Sequence, residues 1–268
     1  MQGLLIYGAE EYKRNQDFSA FLIREGKKLG INLKLAFPEE INRDMTGEKY
    51  SFGLVRVIRP KINQRLEEQG IRSMNSYEVS SIANDKYKTY ECFHDKVPCI
   101  PSQRIENVTE ESIPHSPGFV IKSLDGHGGK EVFLSDTMRE QAIQHLSGRP
   151  AILQPYEKGY SYDIRVYVLG GRIVAAVKRK GNGDFRSNFS VGGSVEPFPV
   201  SELPTDLLQE VTSRLWLDYA GVDLLYNGKD FLLNEIEDVV GARMLYKVAP
   251  DCNIGIEYLK YVAEIVAG

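Results

Sequence analysis

Residues 220–238 read Ala-Gly-Val-Asp-Leu-Leu-Tyr-Asn-Gly-Lys-Asp-Phe-Leu-Leu-Asn-Glu-Ile-Glu-Asp, and the architecture turns on them. Two apolar runs, Gly221–Tyr226 and Phe231–Ile236, flank Asn227-Gly228, the strongest short-range hairpin signal in the chain. Strand side chains alternate, so Glu235 and Glu237 share a face while Ile236 points back. Across the hairpin Asp223 stands near that pair. Three carboxylates on one face repel unless a cation sits among them, and hard divalent cations take oxygen ligands. Solvated acids on an exposed strand are the bland alternative. The flanking Val222, Leu224, Leu225, Phe231, Leu232 and Leu233 make this a packed sheet and favour a metal.

Upstream lies a second hairpin, Ser161–Leu169 and Arg172–Lys178, joined by Gly170-Gly171. Asp163 and Arg165 share one of its faces, Lys178 ends the partner strand, and Arg179 and Lys180 follow. A polar, glycine-rich loop, Gly181–Gly193, then carries Asp184-Phe-Arg186-Ser187-Asn188. Cations converging beside a metal suit a polyphosphate whose charge must be neutralised during transfer; cross-strand ion pairing reads the same residues without function. Further upstream, Phe119–Ser123 is a strand that carries Lys122 and runs into the turn Asp125–Lys130. Gly126, Gly128 and Gly129 there can bring backbone N–H groups close to a phosphate. A strand rather than a helix follows these glycines, so the turn is neither a Walker A loop nor a dinucleotide fingerprint.

The first part of the chain alternates strand and helix signals: Leu4–Tyr7, then Asp17–Leu29 with Phe18, Phe21, Leu22 and Leu29 on one face, then Ile31–Phe37 and Phe52–Ile58. A polar helix from Pro60 stops at Gly70. This is a β-α-β pattern in a small parallel-sheet unit. One longer helix is expected over Tyr77–His94, ended by Val97-Pro98-Cys99-Ile100-Pro101. Glu131–Leu134 and Ala151–Tyr156 read as strands, with helices over Asp136–His145, from Pro204 with Leu207, Leu208, Val211 and Leu215 inward, and over Ile254–Val266.

Composition narrows the class. The chain has 268 residues, 42% hydrophobic and 26% charged, with 33 Lys+Arg against 37 Asp+Glu. A formal charge of −4 argues against non-specific nucleic-acid or acidic-membrane partners. No apolar run approaches the ~20 residues of a bilayer span. The opening MQGLLIYGAE has no basic region and too short an apolar run for a signal peptide. Three cysteines without CxxC spacing exclude a disulfide framework, and Cys92, His94 and Cys99 lack a fourth zinc ligand. A cytoplasmic protein is expected, and a homodimer is common at this size.

In order and spacing these clusters resemble the ATP-grasp superfamily, in its RimK-like carboxylate–amine ligase branch. The resemblance runs through Leu66-Glu-Glu-Gln-Gly70, Asn75, Asn84-Asp85-Lys86, Ile121-Lys122, Gln154-Pro155-Tyr156, Asp163-Ile-Arg165, Asp184–Asn188, Gly192-Gly193, Ala220–Asp223 and Glu235-Ile-Glu237. It implies an α/β chain with a short Rossmann-like unit over 1–80 and an ATP-grasp domain over 81–268. Within that domain it implies a lid lobe at about 98–153 and a catalytic lobe at about 154–268.

It also implies roles. Lys86 and Lys122 contact ATP phosphates under the loop Asp125–Lys130. Gln154, Pro155 and Tyr156 form the hinge whose backbone holds adenine, and Asp163 contacts the nucleotide. Lys178 belongs to the same basic set. Arg186, Ser187 and Asn188 lie along ATP, with Arg165 and Arg186 at the reacting centre. Asp223, Glu235 and Glu237 bind Mg²⁺ or Mn²⁺.

The activity implied is ATP-dependent activation of a small carboxylate as an acylphosphate, followed by attack of an amine. The acceptor is an amino acid or a peptide. A precursor-peptide modifier, a kinase using the same clamp, and a nucleotide-binding module without catalysis are the other readings. Four departures from the family stand out: Glu237 where Asn is usual, Pro155 where Glu is common, Ser190 and Val191 in place of basic residues, and Asp238-Val-Val-Gly-Ala-Arg243 in place of Ser-Pro-Gly. Arg243 is free to hold a substrate carboxylate by a two-pronged fork.

Overall fold

The structure, a computed structural model, describes residues 1–41, 49–126, 131–156, 162–181 and 194–267. The chain begins β1 (Gln2–Ile6), α1 (Ala9–Lys28), β2 (Asn32–Ala36), α2 (Pro38–Ile41), β3 (Phe52–Val55), α3 (Pro60–Glu68) and β4 (Arg72–Met74). The strands form one parallel sheet in the order β2-β1-β3-β4. Helical crossovers return each strand in the same direction, and both sheet faces are covered.

Two helices follow, α4 (Tyr77–Ala83) and α5 (Lys86–Phe93), where one was expected. The break is chemical. Asp85 caps α5, its carboxylate accepting from the N–H groups of Tyr87 and Lys88, and Asn84 closes α4. A short polar residue that bonds backbone N–H groups ahead of it starts a helix rather than continuing one.

Next come β5 (Gln103–Ile105), β6 (Phe119–Ser123), β7 (Val132–Leu134), α6 (Arg139–Leu146) and β8 (Ala151–Pro155). Their antiparallel sheet, in the order β5-β8-β6-β7, packs on α6 over a separate core including Ile121, Phe133, Ala142, Leu146 and Leu153. The remainder is β9 (Tyr162–Leu169), β10 (Arg172–Lys180), β11 (Ser194–Pro197), α7 (Thr205–Arg214), β12 (Tyr219–Tyr226), β13 (Phe231–Glu237), α8 (Arg243–Val248) and α9 (Ile254–Ala267). Its sheet order is β11-β10-β9-β12-β13. The proline linker 97–101 runs along the outer edge of β13, where Leu233 N–H donates to the Pro98 carbonyl at 2.8 Å.

One face of this five-stranded sheet places Ile164, Val166, Val168, Val222, Leu224, Leu233 and Ile236 against α4, α5 and α7. On the other, Tyr167, Leu169, Val177 and Tyr219 join Leu5, Leu22, Phe52 and Leu54 of the N-terminal unit and Tyr258 and Leu259 of α9 in a single core. The acids of the candidate site lie on this second face.

Candidate active site

Two β-bulges build the site. A tight turn pairing Tyr226 with Phe231 would, in regular register, set Asp223 opposite Asn234 and turn both glutamates to the far side. Instead the register shifts between Asp223 and Leu224: Leu224 pairs with Leu233, but Asp223 pairs with Glu235 and Gly221 with Glu237. Asn234 is the extra residue, and an insertion of one flips every side chain beyond it. The three carboxylates therefore meet on one face, each offering an oxygen within 4.8 Å of the others.

The second bulge lies in β10. The Gly170-Gly171 turn pairs Leu169 with Arg172 and Val168 with Ile173, a register that would carry Lys178 to Asp163. A shift between Ile173 and Ala175 brings Arg179 there instead. Lys178 points to the opposite face, 4.2 Å from the Tyr162 ring centroid and 3.1 Å from Glu196. The place expected of Lys178 among the site cations belongs to Arg179, and the physical reason is this one-residue offset.

What the bulges assemble is a buried lattice of charge. Arg165 donates from Nε and Nη2 to the two oxygens of Asp223, at 2.8 and 2.7 Å, and from Nη2 to Glu237 at 2.6 Å. Arg179 donates from Nη2 to Asp223 at 2.7 Å and through Nε and Nη2 to Asp163. Asp163, expected at the nucleotide, is thus buried and engaged by Arg179. From α5, Lys86 Nζ sits 3.5 Å from Glu235 and donates to the Gly126 carbonyl. From β6, Lys122 Nζ donates to the Asn234 side chain at 3.2 Å.

Gly221 makes room: a Cβ there would lie 2.8 Å from Val240 Cγ2 and 3.4 Å from Arg165 Cδ. The extra negative charge of Glu237 is answered by the same Arg165 fork that binds Asp223.

Protonation follows from this arrangement. Burial works to raise Asp223, but Arg165 and Arg179 outweigh it and hold the carboxyl well below the usual carboxylate range. Burial also opposes ionisation of Glu235, where Lys86 and Lys122 prevail and lower it. Glu237 goes the other way, pushed up by burial and by its two acidic neighbours against the pull of Arg165. Burial, reinforced by Lys86, pushes the Lys122 ammonium down to about 8, with Glu235 resisting.

Other expected residues fall as follows. Gln154 lies buried in β8, its amide donating to Ser102 Oγ at 2.8 Å; Pro155 ends the strand, and Tyr156 N–H donates to the Gly118 carbonyl. Gly126 closes the strand end beside Ser123 and Glu131. Arg243 starts α8 exposed to solvent. Gly128, Gly129, Arg186, Ser187 and Asn188 lie outside the described residues.

The oxygen donors fit a hard cation. Asp223 already accepts three hydrogen bonds, leaving roughly one lone-pair site of its four, so Glu235 and Glu237 are the better placed to supply ligands. Lys86 and Lys122 reach the same strand at Glu235 and Asn234.

A family model for the RimK-like ATP-grasp domain matches residues 84–262. The chain is 29% identical to the uncharacterized protein MG011 of Mycoplasma genitalium over 262 residues, 94% of this chain and 89% of that one. It is 29% identical over 210 residues to a probable alpha-L-glutamate ligase of Haemophilus influenzae, covering 74% and 69%. The D-alanine–D-alanine ligase of Bacillus anthracis, solved with ATP, superposes with a TM-score of 0.76 over 100% of this chain and 97% of that one, at 16% identity. With two-thirds of its length matched by the family model, the chain belongs to the RimK-like ATP-grasp family and is an ATP-dependent carboxylate–amine ligase.

Proposed function

We propose that Asp223, Glu235 and Glu237 hold Mg²⁺ or Mn²⁺ against an ATP whose phosphates are gripped by Lys86 and Lys122. The single observation behind this reading is that lysines of α5 and β6 converge on adjacent residues of β13, Lys86 on Glu235 and Lys122 on Asn234. A metal there would neutralise phosphate oxygens as the γ-phosphoryl group leaves. Arg165 fixes the orientation of Asp223 and Glu237, and Arg179 holds Asp223 from the other side. The backbone of Gln154–Tyr156 is the candidate adenine contact.

The reaction transfers the γ-phosphoryl group of ATP to a small carboxylate, with ADP as the leaving group, and an amine then displaces phosphate from the acylphosphate to form an amide. The glutamate ligase relative supports an amino acid as one substrate. Ser190, Val191 and the 238–243 segment differ from the family where substrates bind, so glutamate itself is not carried over. Three free cysteines and the need for ATP support a cytoplasmic setting.

The test is a screen of amino-acid pairs for ADP release with mass detection of the joined product. Glu235→Gln should lower turnover by about 10²–10³ while leaving the circular-dichroism spectrum unchanged. Wild-type turnover in that variant would refute the metal assignment.

A further inference from the structure

Arg56 follows β3 directly and, among the described residues, has no carboxylate within salt-bridge distance, although the buried Asp238 feels its charge. It is 7% exposed, and its one described hydrogen bond runs from Nη2 to the Val240 carbonyl at 2.7 Å. Its Nε has no hydrogen-bond partner, the hydroxyl of Tyr7 lies against the guanidinium, and the buried hydroxyl of Tyr219 is unpartnered. The guanidinium lies 5.6 Å from the Tyr219 ring centroid. Glu11, near the same strand ends, bends back over Gly8 and pairs with Arg14 at 3.5 Å instead. An isolated buried cation is costly unless something negative completes it.

Its position is equally telling. In the order β2-β1-β3-β4 the chain leaves β1 towards one side and returns on the other, so the topological switch falls between β1 and β3. In open parallel sheets, ligands bind outside the carboxyl ends of the strands at that point. Tyr7 directly follows β1 there, and Arg56 directly follows β3. Val240 also packs over Gly221 beside Arg165, which puts Arg56 behind the loop that follows the acids.

We propose that the switch point between β1 and β3 is a carboxylate subsite in which Arg56, flanked by Tyr7 and Tyr219, receives the unreacted carboxylate of an amino acid whose amine is the nucleophile. The assignment rests on the ligase reading for the amine's role. The reacting carboxylate must lie with the nucleotide at the acids. A guanidinium behind the 238–242 loop serves a different one. Arg56 is therefore a specificity-determining residue, selecting amino acids over simple amines.

The experiment measures thermal shifts with L-glutamate, L-alanine and L-lysine, each against its α-amide, in wild type, Glu235→Gln, Arg56→Gln and Arg56→Lys. At least one amino acid should stabilise wild type and Glu235→Gln alike, with its amide inert. Arg56→Gln should bind it about 10–100-fold more weakly, as loss of a charge-assisted contact predicts. If Arg56→Gln fails to fold, Arg56→Lys is decisive: it keeps the charge, loses the fork, and should weaken binding severalfold. In turnover, the KM for the amino acid should rise by the same factor with the KM for ATP unchanged. Equal responses to acid and amide, no response in wild type, or an Arg56 variant binding like wild type would overturn the subsite. Carboxylate binding that persists where no pair of substrates is ever joined would leave the subsite standing and remove the ligase reading.

Discussion

Single residues here are governed by what burial does to their charge. Asp218, at the start of β12, illustrates this away from the metal acids. It accepts a hydrogen bond from Tyr261 and lies 3.4 Å from Arg72, yet burial outweighs both and raises its carboxyl above the usual range. A raised folded-state value means that the protonated form favours the fold. That stabilisation is complete below the unfolded Asp value of about 3.9 and is lost as pH rises through the folded value. Asp218→Asn, neutral throughout, should abolish this component. The difference in urea midpoint between wild type and variant should therefore drift against wild type as pH rises from about 4 to 6. A flat difference would contradict it. At this scale the candidate acids were legible in the sequence, because carboxylates inside an apolar hairpin are costly without a cation. Arg56 was not. Nothing local marks an arginine after a short strand as buried.

Elements decide which residues meet, and here sequence reading partly failed. Both hairpins were legible from their turns, Asn227-Gly228 and Gly170-Gly171. The registers were not, since each carries one extra residue. A trace was available in β13, where Leu233 and Ile236 pack on the same face at a spacing of three rather than two. No comparable mark distinguishes Lys178 from Arg179, and the offset in β10 exchanged them. The break between α4 and α5 was readable as Asp85 capping but merged into one run. Deleting Asn234 tests the register directly. Without that residue Glu235 and Glu237 would turn towards Val222, Leu224 and α5, so ADP release should vanish and the melting temperature fall by about 5–15 °C, since one or two buried charges cost several kcal/mol. Activity retained after the deletion would show that the bulge is dispensable.

The whole molecule is held by unequal cores. The N-terminal parallel sheet and the catalytic sheet share one, built from Leu5, Phe52, Leu54, Tyr167, Tyr219 and Tyr258. That sharing was not legible, because both units show complete local patterns and neither names its partner. Residues 1–80 and 81–268 expressed apart should each lack a cooperative unfolding transition, and co-expression should restore it. A fragment 81–268 that melts cooperatively alone would disprove the dependence.

The β5-β8-β6-β7 sheet differs, since it keeps its core to itself. Among the described residues, polar contacts tie it to the remainder: Lys86 to the Leu124 and Gly126 carbonyls, Lys122 to Asn234, and Arg104 over the Tyr87 ring. Swinging that jaw outward leaves its own apolar core intact. Its ease of movement should respond to ionic strength far more than to heating, and an incoming triphosphate can take over the ammonium groups that the closed mouth keeps busy.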